Sequence, residues 1–470
     1  MVGLLVGFGW LFQVAQADEG KVLKAAFGER DITPAVENTK PVFLAGYGMN
    51  RRATGVHDPL YARCVTLDDG KRRMAFVSVD LVGLQYPTVQ RIRAGLPDLA
   101  YVLVASTHNH EAPDVVGIWG ASPVERGVDD AYEQLVVTRV QELVRATLNE
   151  LVPVQVAYGT AEDASLLGDS RRPTVKDGIL RLLRFTHAET GQAVGLWVQW
   201  NCHPEALGSR NTLVTSDFPA ATIEALEAKG HGKIAYFSGA LGGLMAPPRD
   251  RIRDDSGQVM GDGTFEYAWR YGQAVAELAE RAVMNAEPIG LTPLTVSAKT
   301  IGIPVENLYY QTARTLGVLR RPSRQWQDDF EQLGPVVTPD QASQPTAVET
   351  EVAYLRLGEL GIAAIPGEIY PELVYGQFQE PVEPNVDFPA APLEKPVVQI
   401  LPEKRWLLFG LANDEIGYII PRRQWDAVAP FAYARLKSQY GEINSCGASV
   451  APILMRALEN RVRALQEAAE

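Results

Sequence analysis

Cysteine is scarce in this sequence: Cys64, Cys202 and Cys446 are its three cysteines among 470 residues. Three cysteines form at most one disulfide, which is too few for a disulfide-stabilised scaffold. None lies in a C-x-x-C motif. Cys202 precedes His203, but neighbouring residues of a strand point to opposite faces, so we interpret Cys202 as a small buried apolar residue rather than a ligand.

Basic residues are also in deficit. The sequence has 44 lysines and arginines against 57 aspartates and glutamates, which gives a net charge of −13. A protein that binds nucleic acid needs a basic surface to neutralise the phosphates. The composition therefore argues against nucleic acid as a partner.

The longest apolar run lies at the N-terminus, from Met1 to Ala17. It ends in Ala15-Gln16-Ala17, a small-x-small pattern, and predicts a signal peptide over residues 1–17 and hence a secreted or periplasmic protein. The usual basic residues before the apolar run are missing, which leaves open a misassigned start codon or an uncleaved anchor. No later stretch is long and apolar enough to span a bilayer.

After this leader, β-like and helical patterns alternate along the chain, which predicts an α/β fold. The polar segment 309–347 predicts a helical excursion and a mobile loop. The clearest predicted strands are 61–67, 74–82, 154–158, 178–186, 195–200, 233–237, 294–303, 352–357 and 362–365, and the clearest helices are 87–96, 129–151, 218–229, 265–285 and 451–470.

The sequence lacks a phosphate-binding loop and a G-x-S-x-G nucleophile elbow. Its densest glycine segment, Ser238 to Pro247, follows a predicted strand. Glycines at such a place let backbone amides approach a ligand closely, although a tight turn is the simpler interpretation. Gly242, Gly243 and Met245 are therefore candidate substrate-binding residues.

A pair of histidines follows the apolar segment that starts at Val102. His108 and His110 are two residues apart, so on an extended segment both would project to the same side. Imidazole is a good zinc ligand, and a catalytic zinc site has about three protein ligands and an open position for water. Two histidines at a strand end are nevertheless more often structural than ligands.

Two further apolar strands end in candidate ligands. The strand that starts at Gly195 leads to His203, and the hairpin before Pro366 leads to Glu368. In open α/β sheets, sites gather beyond the carboxyl ends of the strands. His108, His203 and Glu368 together make a plausible set of two histidines and one carboxylate for zinc.

These strand ends carry a resemblance to a known family. The segments resemble those of the neutral/alkaline (non-lysosomal) ceramidases, in matching order from about Ala26 to about Ala451. They are Asp31-Ile32-Thr33-Pro34, Gly55-Val56-His57 with Leu60-Tyr61-Ala62-Arg63, Ser106-Thr107-His108-Asn109-His110, Asn201-Cys202-His203-Pro204, Ile365-Pro366-Gly367-Glu368 and Asn413-x-x-x-Gly417-Tyr418. The resemblance implies a mixed β-sheet core with surrounding helices, in one ceramidase-like catalytic domain over residues 18–470.

The resemblance also implies roles for individual residues. His108, His203, Glu368 and Tyr418 would hold a zinc ion, and His110 and Tyr440 would stabilise the oxyanion, although the spacing to Tyr440 differs from the ceramidase pattern. Zinc lowers the pKa of bound water from ~15.7 toward ~7, which supplies hydroxide at neutral pH. Each preorganised oxyanion donor is worth roughly 3–4 kcal/mol.

Two departures from the family bear on the substrate. Met245 stands where the ceramidases carry a serine needed for activity, and a thioether cannot act as a hydroxyl does. We also expect no counterpart of the C-terminal immunoglobulin-like domain of characterised ceramidases. We therefore expect cleavage of an N-acyl amide, with ceramide as one candidate among other small-molecule or lipid-like amides.

Three alternatives stay open at this stage. A zinc-dependent esterase would need the same site residues, and a non-catalytic member of the family would use the pocket to bind a ligand or keep the metal for structure. Retention of His110 favours an enzyme, because a closed structural site has no use for an extra polar donor. A phosphatase or sulfatase is disfavoured, since the sequence shows neither a cluster of aspartate ligands nor a basic anion clamp.

Overall fold

The computed structural model describes residues 22–37, 40–338 and 345–468. The predicted signal peptide, residues 1–17, lies outside the described residues. Within them, no helix is both long enough and apolar enough to cross a membrane.

The strands and helices follow one another in mixed order. The strands are β1 (Lys24–Asp31), β2 (Gly55–Val56), β3 (Tyr61–Asp68), β4 (Arg73–Val79), β5 (Tyr101–Ser106), β6 (Val152–Glu162), β7 (Gly168–Asp169), β8 (Ile179–His187), β9 (Ala193–Trp200), β10 (Leu213–Val214), β11 (Lys233–Ser238), β12 (Met245–Ala246), β13 (Glu287–Pro288), β14 (Leu294–Pro304), β15 (Ser323–Gln325), β16 (Val336–Val337), β17 (Thr346–Leu357), β18 (Leu360–Ala364), β19 (Glu368–Ile369), β20 (Arg405–Phe409) and β21 (Tyr418–Ile419). The helices are α1 (Tyr86–Ala94), α2 (Asp130–Leu148), α3 (Phe218–Ala228), α4 (Phe265–Met284), α5 (Leu308–Thr315), α6 (Pro371–Tyr375), α7 (Val397–Ile400), α8 (Tyr440–Ile443) and α9 (Val450–Glu467), with 3₁₀ turns at Ala164–Leu166, Arg422–Gln424 and Ala432–Ala434.

Nine strands of the described chain form the larger sheet, in the order β11-β9-β8-β6-β1-β3-β4-β5 with β13 also on β6. The β9–β11 and β4–β5 pairs are parallel and the other pairs antiparallel. The two edges of this sheet, β11 and β5, approach each other. Ser238 at the end of β11 donates from its Oγ to the carbonyl of Thr107 after β5, at 2.7 Å. Ser78 of β4 donates in the same way to the carbonyl of Tyr236. The ends of β5 and β11 therefore lie side by side.

A second sheet packs against the first. It has the order β16-β15-β17-β18-β20 with β14 also on β17. One buried core contains residues of both sheets, and Trp197 of β9 stacks on Phe409 of β20 with ring centroids 5.4 Å apart. Burial of large aromatic side chains between two layers is the main source of stability in such a fold.

The helices begin where the sequence supplies caps. The Asp129 side chain accepts a hydrogen bond from Ala131 N at the start of α2, and Asp217 accepts one from Phe218 N at the start of α3. Such caps satisfy backbone N–H groups that have no partner within the helix. The predicted α/β fold with a mixed sheet core and surrounding helices is confirmed.

One expectation about the backbone is wrong. β5 ends at Ser106, and His108 has a φ of +67°, so His108 and His110 do not lie on an extended segment. A residue in the left-handed region turns the chain sharply, and such strain in a residue other than glycine is typical of functional sites. The two histidine rings meet through this turn, with centroids 4.8 Å apart.

The polar segment 309–347 contains more regular structure than expected. The predicted helical excursion corresponds to α5, and the short strands β15 and β16 follow it. The expected mobile loop falls partly on residues 339–344, which lie outside the described residues. Helix α5 begins at an Asn307 cap, whose side chain accepts hydrogen bonds from Tyr309 N and Tyr310 N.

Candidate functional site

His108 and His203 present the same ring nitrogen to one point. His108 donates from Nδ1 to the carbonyl of Val82 at 2.5 Å, and His203 donates from Nδ1 to the carbonyl of Met245 at 2.6 Å. Nε2 of each ring then faces Oε2 of Glu368, at 3.5 Å in His108 and at the hydrogen-bond distance of 2.9 Å in His203. A carbonyl on the far nitrogen is the usual way in which a metal-binding histidine is oriented.

Glu368 is placed by a short parallel pairing. It opens β19, and its direct partner in β21 is Tyr418, whose hydroxyl forms a hydrogen bond with the Glu368 carboxylate. Burial alone would raise the pKa of Glu368, but the charges of His108 and His203 and the hydrogen bonds of His203 and Tyr418 hold it below its ordinary value. The carboxylate is therefore ionised and surrounded by groups that favour its negative charge.

His110 completes a cluster of three histidines. Its ligand atoms and those of His108 and His203 all lie within 4.8 Å of one another. Neither Nδ1 nor Nε2 of His110 has a hydrogen-bond partner in the described part of the chain, although both atoms are buried. Buried polar atoms without partners are unusual, and at this place they suit the binding of a ligand. The cluster thus fits a metal ion, because imidazole nitrogens are good ligands for zinc and related divalent metals.

Burial controls the ionisation of these groups. It lowers the pKa of His108 to about 4 and holds that of His110 well below its ordinary range. Burial also acts against the protonated form of His203, but the hydrogen bond and charge of Glu368 raise the pKa of His203 above its ordinary value. His108 and His110 are neutral near pH 7, which is the form that binds metals.

The two predicted tyrosines lie together. The rings of Tyr418 and Tyr440 are 6.1 Å apart between centroids, and Tyr440 is the first residue of α8. Tyr440 is 48% exposed, so its side chain reaches from solvent toward the buried cluster. Burial, together with the negative charges of Glu368 and Glu205, raises the pKa of Tyr440 to about 12. Its hydroxyl therefore keeps its proton at neutral pH.

A pocket opens at this cluster, with an empty volume of about 800 Å³ that includes its mouth. His108, His110, Glu368, Tyr418 and Tyr440 line it. The rest of its wall is largely apolar and includes Val82, Val116, Trp119, Leu319, Val348 and Ile416. Pockets of this size with a few convergent polar groups are typical small-molecule sites.

A more open groove adjoins the pocket and shares Trp119 and Tyr440 with it. The groove has an empty volume of about 1720 Å³ and is lined by apolar side chains such as Met49, Phe388 and Val428. Val428 is 67% exposed. An apolar portion of a bound molecule could therefore extend from the pocket along this surface.

The glycine segment lies behind the histidines. Gly242, Gly243 and Met245 are not among the residues that line the pocket in the described chain. The Met245 side chain is fully buried, and its carbonyl accepts hydrogen bonds from both the backbone N and Nδ1 of His203. At Gly242 a Cβ would come within 2.6 Å of Tyr370 N, so the segment packs tightly there. In this structure the segment positions His203 through the backbone.

Sequence reasoning missed other groups at the site. Glu205 lies 3.9 Å from His110 between Oε2 and Nδ1, and burial raises its pKa to about 7. Its position two residues after His203 was the available signal. Tyr310 and Arg314 of α5 also line the pocket. No motif marked them, because the polar segment 309–347 predicted a helical excursion and a mobile loop but no site residue.

Two solved structures are similar to this one. They are described as neutral ceramidase from Pseudomonas aeruginosa and as a ceramidase complexed with C2. Each matches with a TM-score of 0.67 at 15% sequence identity, over 95% of this chain and 75% of the matched chain. No protein-family model and no curated protein matches the sequence. The chain thus has a ceramidase-like fold, which agrees with the expected resemblance at the level of fold.

Proposed function

We propose that this protein is a zinc-dependent hydrolase that cleaves an N-acyl amide. The observation that carries the proposal is the convergence of three histidines and Glu368 beside an open pocket, with both ring nitrogens of His110 unpartnered in the described chain. The ceramidase-like fold supports the same class of reaction. Fold alone does not define chemistry, so the proposal rests on the site.

The ligands we assign to the metal are His108, His203, Glu368 and Tyr418. When bound, zinc would supply Lewis acidity and lower the pKa of a water molecule to roughly 7. The carbonyls of Val82 and Met245 fix the histidine rings beforehand. Rings that are already oriented lose little entropy when a ligand arrives.

His110 and Tyr440 are the groups we assign to the oxyanion. Neutral imidazole carries one N–H, and no other acceptor among the described residues occupies it in His110. Tyr440 retains its hydroxyl proton because its pKa is raised to about 12. Both side chains can therefore donate a hydrogen bond to an oxygen that gains negative charge in the transition state.

The substrate proposed is an N-acyl compound rather than ceramide specifically. The serine of the ceramidases is replaced by Met245, whose side chain is buried and does not line the pocket. The apolar pocket wall and the adjoining groove suit a lipid-like amide. An ester of similar shape would need the same residues for its cleavage.

Metal content and hydrolysis, measured on the same samples, test the proposal. Wild type, His203→Ala and the control His187→Ala are analysed by metal mass spectrometry and assayed on fluorescent ceramide, simple N-acyl amides and matched esters. His187 is a suitable control because its Nδ1 accepts backbone N–H groups in the turn after β8 and does not line the pocket.

We expect about one zinc per chain in wild type and in His187→Ala, with loss of both metal and amide hydrolysis in His203→Ala. Ester turnover without amide turnover would favour the esterase. Zinc without any turnover would favour a binding protein, and no zinc in wild type would reject the ligand assignment.

A further inference from the structure

Two arginines line the pocket of the three histidines, and they differ in their partners. Arg321 donates from both terminal nitrogens to the Asp414 carboxylate, at 3.1 and 2.6 Å, and also to the carbonyl of Glu349. Its charge is therefore neutralised within the fold. This arginine has a structural role that needs no ligand.

Arg314 has no such carboxylate. Among the described residues it forms no ion pair; one terminal nitrogen contacts the Thr346 hydroxyl at 3.4 Å, and its buried Nε has no hydrogen-bond partner. Burial, together with the nearby positive charge of Arg321, lowers the pKa of Arg314 to about 10. A half-buried cation that has no carboxylate partner is costly unless an anion joins it.

The position of Arg314 relative to the histidine cluster follows from helix α5. Tyr310 and Arg314 are four residues apart, so they share one face of the helix, one turn or about 6 Å apart along its axis. Tyr310 lies at the cluster end, since a Cβ on Gly417, next to Tyr418, would be 3.1 Å from its hydroxyl. Arg314 thus extends from the helix about one turn further along the same pocket wall.

We propose that Arg314 is a specificity-determining residue that binds a carboxylate of the substrate. The preferred substrate would then be an acidic N-acyl amide, such as an N-acyl amino acid, instead of a neutral lipid amide. A guanidinium forms charge-assisted, often bidentate hydrogen bonds with a carboxylate, and these are strong where water is excluded. This inference rests on the proposed amide hydrolysis and adds the chemical class of the substrate.

Matched substrates test the inference. N-hexanoylglycine and N-hexanoylglycinamide have a carboxylate or a neutral carboxamide of similar size in the amine half. N-propylsuccinamic acid and N-propylsuccinamide have the same pair of groups in the acyl half. The ratio of kcat/KM between acid and amide is measured for each pair with wild type, Arg314→Met, Arg314→Lys and the control Arg320→Met. Arg320 suits as a control because it is an exposed arginine of the same segment, paired with Asp130 at 3.4 Å.

In wild type and in Arg320→Met we expect the acid of at least one pair to be preferred by roughly 10- to 100-fold, the range of a charge-assisted hydrogen bond. In Arg314→Met the ratio should fall to about one, and Arg314→Lys should retain part of it because the charge remains. A ratio near one in wild type, or a preference that survives in Arg314→Met, would overturn the inference. The latter result would mean that the metal or another group recognises the acid.

Arg314 also borders a second, more polar cavity beside Thr312. An anion held there would not be part of the molecule that is cleaved, so it would not change the ratio between matched substrates.

A binding measurement distinguishes failure of this inference from failure of the proposed function. If wild type hydrolyses none of the four compounds, calorimetry with N-hexanoylglycine and its amide still decides: tighter binding of the acid that is lost in Arg314→Met supports the inference, and equal binding rejects it.

Discussion

Whether a buried carboxyl group is ionised depends on the few residues around it. Glu372 of α6 is 2% exposed, and its Oε2 has no hydrogen-bond partner among the described residues. Arg171, whose positive charge acts on Glu372, already forms a bidentate ion pair with Glu442, at 2.8 and 2.7 Å. Burial therefore dominates and raises the pKa of Glu372 from 4.5 to about 8.

This shift predicts a pH-dependent stability. Because the pKa in the folded state is raised, the contribution of Glu372 to stability is fully present below 4.5 and is lost as the pH rises through about 8. Glu372→Gln keeps the shape of the protonated acid but cannot ionise. We expect the variant to match wild type at pH 5 and to exceed it at pH 9 by on the order of 5 kcal/mol in the free energy of unfolding.

Urea denaturation at the two pH values measures this difference. Glu150→Gln is the control, because Glu150 is an exposed residue just after α2. An equal stability gain at both pH values would show that the ionisation of Glu372 is not responsible.

At the level of elements, the strand ends bring the site together. The sequence indicated that apolar strands end at His108, His203 and Glu368, since each apolar run stops at a polar or proline-containing segment. It did not indicate how these ends meet. In the contact between β11 and the segment after β5, Ser238 donates to the backbone carbonyl of Thr107, and a bond to a carbonyl does not depend on the side chain that follows β5.

The bond from Ser238 Oγ to the Thr107 carbonyl is fully buried. Ser238→Ala should lower the free energy of unfolding by about 1–3 kcal/mol, because a buried carbonyl loses its donor. The exposed Ser256 provides the control, and Ser256→Ala should change stability by less than about 0.5 kcal/mol. Equal effects of the two substitutions in thermal or urea unfolding would contradict a special role of this contact.

Helix α5 shows why part of the site was beyond sequence reasoning. Its residues are mostly polar, and only Ala313 is buried, so the apolar periodicity that identifies helices is weak. The left-handed backbone of His108 was equally hidden, because histidine adopts it only when the surrounding structure imposes it. By contrast, α2 and α9 have long apolar faces, and their predicted positions agree with the structure.

Over the whole molecule, the two sheets depend on one shared core. Phe409 of the second sheet is fully buried and packs on Trp197 and Phe237 of the first. Phe409→Ala should lower the free energy of unfolding by about 3–5 kcal/mol, since it removes aromatic contacts and leaves a cavity.

Phe409→Leu refills most of that space and should lower the free energy of unfolding clearly less than Phe409→Ala does. Chemical denaturation of the three proteins gives the comparison. Similar losses for the alanine and leucine variants would indicate that the aromatic stacking, and not the filled volume, holds the sheets together.

The candidate site does not belong to either sheet alone. His108 and His203 follow strands of the larger sheet, whereas Glu368 follows β18 of the second sheet, and its Oε2 reaches both histidines. An ion that binds all three residues would have no complete site in a chain whose sheets were apart. By mass action such an ion would favour the arrangement in which the two sheets pack together. The stability of the folded protein would then depend on the concentration of the ion, as its activity does.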